Sequence, residues 1–126
     1  MTAAARRRAY ARGRRAERLA AWWLRLQGYR ILALGLRSPV GEIDIVARRG
    51  GILAVVEVKR RASLAEAAEA VSPRQRRRLR RAAELYLQRH PELAGLQPRF
   101  DAVLLVPRHL PRHIKDAWNA DITLPY

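Results

Sequence analysis

Two short segments that carry charge at their centres, joined by a glycine turn, constrain this chain more than any other feature. Gly41-Glu42-Ile43-Asp44-Ile45-Val46-Ala47 leads through Arg49-Gly50-Gly51 into 52–60, which contains Val56-Glu57-Val58-Lys59. Both segments are rich in β-branched residues, and glycine supplies the positive φ that a tight hairpin requires. The pattern predicts antiparallel strands over 41–48 and 52–60. Side chains alternate faces along a strand, so Glu42, Asp44 and Val46 are expected on one face and Ile43 and Ile45 on the other. The same period groups Glu57 with Lys59 and sets Val56 and Val58 opposite. Charges are seldom placed in such apolar runs unless they are paired or bind a metal. The hairpin is therefore expected to present two or three carboxylates and one ammonium at a single spot.

The flanking segments supply helices for such a sheet to pack against. A helix is predicted over 12–27, with Ala16, Leu19, Ala20, Trp23 and Leu26 on one face and Arg14, Arg18 and Arg25 on the other. Glu17 lies at the border of the apolar stripe, and Gly28 is a natural stop. A first strand is predicted over 29–34, with 35–40 as a connection. The stretch 61–71 reads as loop with some helix. Ser72-Pro73-Arg74-Gln75 then reads as a helix start, with an N-cap serine, proline at the first position and a capping-box glutamine. That helix runs to about Gln88 and buries Leu79, Ala82, Ala83, Tyr86 and Leu87. A loop over 91–98 precedes a fourth strand over 100–106. The tail, through Ile114, Trp118 and Ile122, has room for one short strand. Trp22, Trp23 and Trp118 read as core or interface.

The resulting order, α-β-β-β-α-β, is an α/β fold: a mixed sheet flanked by helices. A right-handed crossover makes the third and fourth strands a parallel pair. The length of 126 residues suits one domain, with 1–11 as a basic N-terminal extension. That extension is Ala- and Arg-rich and acid-free, like a transit peptide, yet it runs straight into the first helix. There is no cysteine, which excludes disulfides and thiolate metal sites and offers no sign of secretion. No apolar run reaches the length of a membrane span, so no membrane partner is expected, and the location expected is cytoplasmic. Lys and Arg number 26 against 11 acids, a net charge of +15 that favours a polyanionic partner, nucleic acid above all. Lys59 and Lys115 are the only lysines, so the lysine inside an apolar strand points to a need for a compact ammonium.

These residues carry a resemblance. An acid in the first helix, Asp44 on the second strand and Glu57-Val58-Lys59 on the third resemble the PD-(D/E)xK nuclease superfamily. More closely, the chain is similar to the YraN family of bacterial proteins, itself similar to archaeal Holliday-junction resolvases. The matching residues include Arg14-Arg15-Ala16-Glu17, Gly28-Tyr29-Arg30-Ile31-Leu32, 41–47, Val56-Glu57-Val58-Lys59-Arg60-Arg61, Gln75-Arg76-Arg77-Arg78-Leu79 and Arg99-Phe100-Asp101. Two places depart: Gly35 or Leu36 stands where an asparagine is expected, and 62–68 lacks the usual Phe-Gly.

The resemblance implies a restriction-endonuclease-like fold and a metal-dependent endonuclease acting on DNA, with branched or recombination and repair intermediates as substrates. Asp44, Glu57, Lys59 and Glu17 would be the catalytic residues. Asp44, Glu57, Glu17 and the second-tier Glu42 would hold Mg²⁺ or Mn²⁺, since hard cations take oxygen ligands. Lys59 would orient the attacking water. Arg60, Arg61, Arg74, Arg77, Arg78 and Gln75 would bind the nucleic acid, with strong salt dependence. By analogy with junction resolvases the chain could form a homodimer.

Plainer readings stand beside these. Glu57 and Lys59 could be an ion pair on a solvated face, and Glu17 could pair with Arg14 one turn earlier. Gln75 could serve only as a capping residue. Asp101 reads as a structural hydrogen-bonding group, and His90, His109 and His113 lack metal spacing. At the level of function, the alternatives are a non-catalytic nucleic-acid-binding module with a nuclease-like fold, and an interaction protein whose arginines meet an acidic partner.

Overall fold

The structure is a computed structural model that describes residues 2–70 and 73–118, with the side chains of 68–69 and 73–76 outside that description. The elements are α1 (Ala3–Leu26), β1 (Arg30–Ser38), β2 (Gly41–Arg49), β3 (Ile52–Arg60), α2 (Leu64–Glu69), α3 (Pro73–Arg89), β4 (Gln97–Leu105) and β5 (Arg112–Ile114). A 3₁₀ turn, Pro91–Leu93, precedes β4. The five strands form one mixed sheet in the order β1-β2-β3-β4-β5, and only the β3–β4 pair is parallel. The core is thus the expected α-β-β-β-α-β unit of restriction-endonuclease-like folds, extended by α2 and β5. The short tail strand occupies 112–114, whereas Ser72 and Ile122 lie outside the described residues.

Three elements outrun their predicted limits by more than a residue. β4 is among them, starting at Gln97 rather than 100 because it pairs in parallel with β3 from Ile52 onward. α1 begins well before the apolar periodicity does, because its first turns are alanine and arginine, both good helix formers. Thr2 caps it, its hydroxyl accepting the Ala5 N–H at 3.0 Å. β1 continues through Gly35 to Ser38, since glycine tolerates the φ of +60° found there.

The two faces of the sheet carry separate cores. Ala20, Leu24, Ile45, Ala47, Val56 and Val103 pack beneath α1. Ile43, Val46, Leu53, Val55, Leu79 and Ala83 pack beneath α3. The stripe that α1 buries is Ala16, Ala20, Ala21 and Leu24, not the one centred on Leu19 and Trp23. Leu19, Trp22 and Leu26 are exposed. Three alanines let the helix lie close to the sheet, and this rotation turns Glu17 toward the strands.

Strand alternation also fails once. Ile43 and Val46 both enter the α3-side core, whereas Ile45 and Ala47 enter the α1-side core. Val46 therefore does not share a face with Glu42 and Asp44 as the simple period requires. The cause is a fork: the β2–β3 ladder ends at the pair Ile45↔Val56, and β2 leaves β3 at Asp44. On the other side, Gly35 and Asp44 occupy the step between the pairs Leu34↔Ile45 and Leu36↔Ile43.

At the far end of the α1 face a polar cluster is built around Asp101, which is fully buried. Its carboxylate accepts two hydrogen bonds from Arg99, both at 2.8 Å, and the Asp116 N–H at 3.0 Å. His113 Nε2 lies 2.8 Å from it, and His113 Nδ1 lies 3.1 Å from Gln27 Oε1. Arg99 also donates to the Tyr29 hydroxyl at 2.6 Å. One carboxylate thereby ties the end of α1, the start of β1, β4, β5 and the turn after it. Burial alone would push this carboxyl up, but the His113, Arg99 and Asp116 hydrogen bonds and the Arg99 charge outweigh it and hold it below its usual value.

Asp101→Ala strands a half-buried guanidinium and a nearly buried imidazole. It should cost about 3–5 kcal/mol in urea unfolding at neutral pH. Because the folded-state pKa is depressed, this stabilisation is present above about pH 4 and disappears as pH falls through the lower folded value. The difference between wild type and Asp101→Ala should therefore shrink in acid.

Candidate functional site

The fork delivers its carboxylates to one place by three routes. Asp44 stands where β2 parts from β3, and its Oδ2 accepts the Val58 N–H at 2.8 Å. A side chain thus takes the place of the missing strand partner. Glu42 projects from the same strand two residues earlier. Glu17 reaches down from α1, its Oε2 lying 3.3 Å from where a Cβ on Gly35 would sit. A side chain at 35 would crowd that carboxylate, so the glycine serves both the bend of β1 and the space above it. Oxygens of Glu17, Glu42 and Asp44 lie within 4.8 Å of one another.

Glu57 and Lys59 stand beside this trio on the α3 side, opposite Val56 and Val58 as the strand period requires. Both are nearly buried, and Lys59 Nζ donates to Glu57 Oε1 at 3.2 Å. Arg78 of α3 approaches the same oxygen at 3.8 Å. Glu57 is therefore adjacent to the converging acids but outside their group, held by two cations.

The electrostatics follow from this crowding. The Asp44 carboxyl is pushed up to about 7, first by burial and then by the negative charge of Glu57, with Glu17 and Glu42 adding and the Val58 N–H opposing. Glu17 is raised by burial and by Glu42, and Arg14 partly offsets this. The described ion pairs of 4.0 Å or less do not include Glu17 with Arg14, whose guanidinium donates instead to the Tyr10 hydroxyl at 3.0 Å.

Among the described residues, arginines surround the trio without an ion pair of 4.0 Å or less to it. A cleft of about 270 Å³ between α1 and the fork is lined by Arg12, Glu17, Asp44, Val58, Arg60 and Arg61. A smaller hollow of about 170 Å³ on the other flank of α1 includes Tyr10, Arg14, Glu17, Arg37 and Glu42. Of the arginines the sequence singles out for substrate, Arg60 and Arg61 line the cleft and Arg78 touches Glu57. Arg77 is exposed on α3, away from the cleft lining. The side chains of Arg74 and Gln75 lie outside the description. Arg12 and Arg37 join the site without having stood out in the sequence. Arg37 is legible in principle, because the β1–β2 register pairs it with Glu42. Arg12 is not, since apolar periodicity starts the helix only there.

The chain as a whole has relatives. The model of the Uncharacterised protein family UPF0102 matches residues 16–105, most of the chain. This chain belongs to the UPF0102 family. The UPF0102 protein amb4503 of Paramagnetospirillum magneticum is 57% identical over 114 residues, 87% of this chain and 88% of that one. A UPF0102 protein of Parvibaculum lavamentivorans is 59% identical over 111 residues, covering 88% and 84%. One from Caulobacter vibrioides is 51% identical over 107 residues, covering 85% and 86%. The span matched by the UPF0102 model contains Glu17, Glu42, Asp44, Glu57 and Lys59, whereas Arg12 and Arg14 precede it. These relationships establish the YraN-type resemblance, and the UPF0102 description carries no activity with it.

The raised Asp44 carboxyl has a consequence for stability. Its folded-state value, about 7, exceeds the ordinary 3.8. The folded protein thus binds the proton more tightly, and ionisation costs stability progressively as pH rises from about 4 to about 7. Asp44→Asn retains an acceptor for Val58 without the charge. In metal-free buffer it should raise stability by roughly 2 kcal/mol near pH 8 and by almost nothing near pH 4, measured by thermal unfolding.

Proposed function

We propose that this chain is a divalent-metal-dependent endonuclease that hydrolyses phosphodiester bonds in DNA, with branched or recombination and repair intermediates as its substrates. The observation that carries the reading is the convergence of Glu17, Glu42 and Asp44 inside a ring of arginines on a protein of net charge +15. Three carboxylates converging between two arginine-lined hollows repel phosphate unless a cation stands between them. The donor set suits one: all three groups offer hard oxygen, the ligand type of Mg²⁺ and Mn²⁺. The elevated Asp44 carboxyl supports the same reading, since burial and the repulsion of neighbouring acids are both offset by either a proton or a metal.

Asp44, Glu17 and Glu42 would hold the ion, with Glu57 next to them. When bound, such a cation neutralises charge building on the phosphate and makes water a better nucleophile. The remaining work falls to the chain. Lys59, kept nearly buried by its bond to Glu57, would orient the attacking water and face the developing negative charge. Val58 fixes the Asp44 carboxylate through its N–H, so the ligand does not rotate away. Arg60 and Arg61 at the cleft, with Arg74, Arg77 and Arg78 along α3, would grip the backbone, and Gln75 would face the site. Action in the cytoplasm, and as a homodimer, completes the proposal. Among the described residues no helix is long and apolar enough to cross a membrane.

The deciding assay is cleavage of labelled single-stranded, duplex, flap and four-way-junction DNA with Mg²⁺, Mn²⁺ or EDTA. Cutting should require metal and fall at least about 100-fold in Asp44→Ala and in Lys59→Ala, with DNA affinity retained. Mn²⁺ should raise the melting temperature of wild type but not of Asp44→Ala. Tight binding without cutting in any metal would favour the non-catalytic nucleic-acid-binding module instead.

A further inference from the structure

We propose that the groove adjoining the acidic cleft is a pocket for one unpaired nucleotide of the substrate strand. The inference rests on the nucleic-acid reading of that cleft and specifies the strand it accepts. The groove lies between α1 and the carboxyl ends of β3 and β4, with a volume of about 560 Å³. That is within the range of about 300–1,000 Å³ typical of small-ligand sites. Its floor is apolar, formed by Ala16, Leu19, Leu105, Val106 and Pro107, and Arg15, Arg60 and Arg61 stand at its rim. Ala16, Arg60 and Arg61 also line the acidic cleft, so the two hollows share a wall.

An apolar floor under guanidinium groups matches one chemistry well. A nucleobase offers flat apolar faces for Leu19 and Val106, and the phosphates on either side of it meet the arginines. The shared wall puts such a base next to the phosphate held at Asp44. A base inside a duplex cannot enter without leaving its partner and its stack, which costs free energy. Strands that already carry an unpaired nucleotide at a flap, bulge or end avoid that cost. A second copy fits this groove poorly, because an arginine-rich surface would meet Arg15, Arg60 and Arg61 at the rim, so the homodimer is expected on another face.

Ala62 lines the groove and is exposed, and its backbone N–H donates to Glu66. Ala62→Trp therefore fills the groove from the solvent side without entering the core. Leu19→Gln, on the exposed part of α1, removes apolar floor and serves as a second variant. Fluorescence anisotropy with Ca²⁺ in place of Mg²⁺, at fixed ionic strength, would compare three probes. These are a fully paired duplex, the same duplex with one unpaired adenine, and the same with an abasic linker in its place. Wild type should bind the unpaired-adenine duplex at least about tenfold tighter than the other two. Both variants should lose that preference while binding the paired duplex as wild type does.

Equal affinity of wild type for all three probes overturns the proposal, as does an undiminished preference in both variants. No affinity for any probe also overturns it and leaves the groove to a protein partner. Self-association that Ala62→Trp abolishes would assign the groove to a second copy and overturn it too. Preference for the unpaired base without cleavage in any metal would keep the pocket and remove the nuclease reading. Cleavage with no preference would do the reverse.

Discussion

The hydrogen bond from the Val58 N–H to Asp44 is the contact on which the rest of the site depends. At this point β2 leaves β3, and a half-buried amide would otherwise lose its partner. The carboxylate accepts the bond in place of a strand, so the fork opens without stranding a backbone donor. Opening the fork moves Ile45 into the α1-side core, frees space for Glu17 and Glu42, and leaves Glu57 and Lys59 on the far side of β3. A site of five charged groups is thus obtained by ending one ladder a few residues early.

Two aspartates on the same sheet show how environment decides role. Asp101 is fully buried yet held below its usual pKa, because Arg99, His113 and the Asp116 amide all donate to it. It is satisfied and ties five segments together. Asp44 is pushed up to about 7, first by its own burial and then by the charges of Glu57, Glu17 and Glu42, with only the Val58 N–H opposing. One donor cannot balance that many acids. The first arrangement is complete within the chain, whereas the second asks for positive charge from outside.

Much of this is legible in the order of residues. The Arg49-Gly50-Gly51 turn and the β-branched flanks mark β2 and β3 to within a residue, and the stripe from Leu79 to Tyr86 marks α3. Such elements announce themselves because period and burial agree. α1 is harder. Its first turns are helical by propensity alone, and Leu19, Trp23 and Leu26 draw the expected apolar face away from Ala21 and Leu24, which pack beside Ala16 and Ala20. Large residues signal hydrophobicity more strongly than small ones, but close helix–sheet packing selects the small ones. His113 lacks metal spacing and so carries no local signal, and its partner Asp101 is a neighbour only through the β4–β5 pairing.

By itself, the sequence determined the local facts: the hairpin, the helix–strand order, the excess of arginine, and the presence of Glu17, Glu42, Asp44, Glu57 and Lys59 at element positions facing a common sheet. Those follow from φ/ψ preferences and periodicity, which act over a few residues. Only the tertiary structure decided which acids converge and which is paired. The break in alternation at Asp44, the rotation of α1 that aims Glu17, and the reach of Arg78 to Glu57 all arise from packing between segments distant in sequence. A period of two places side chains on faces, but the ending of a strand ladder is settled by which amide finds which acceptor in three dimensions.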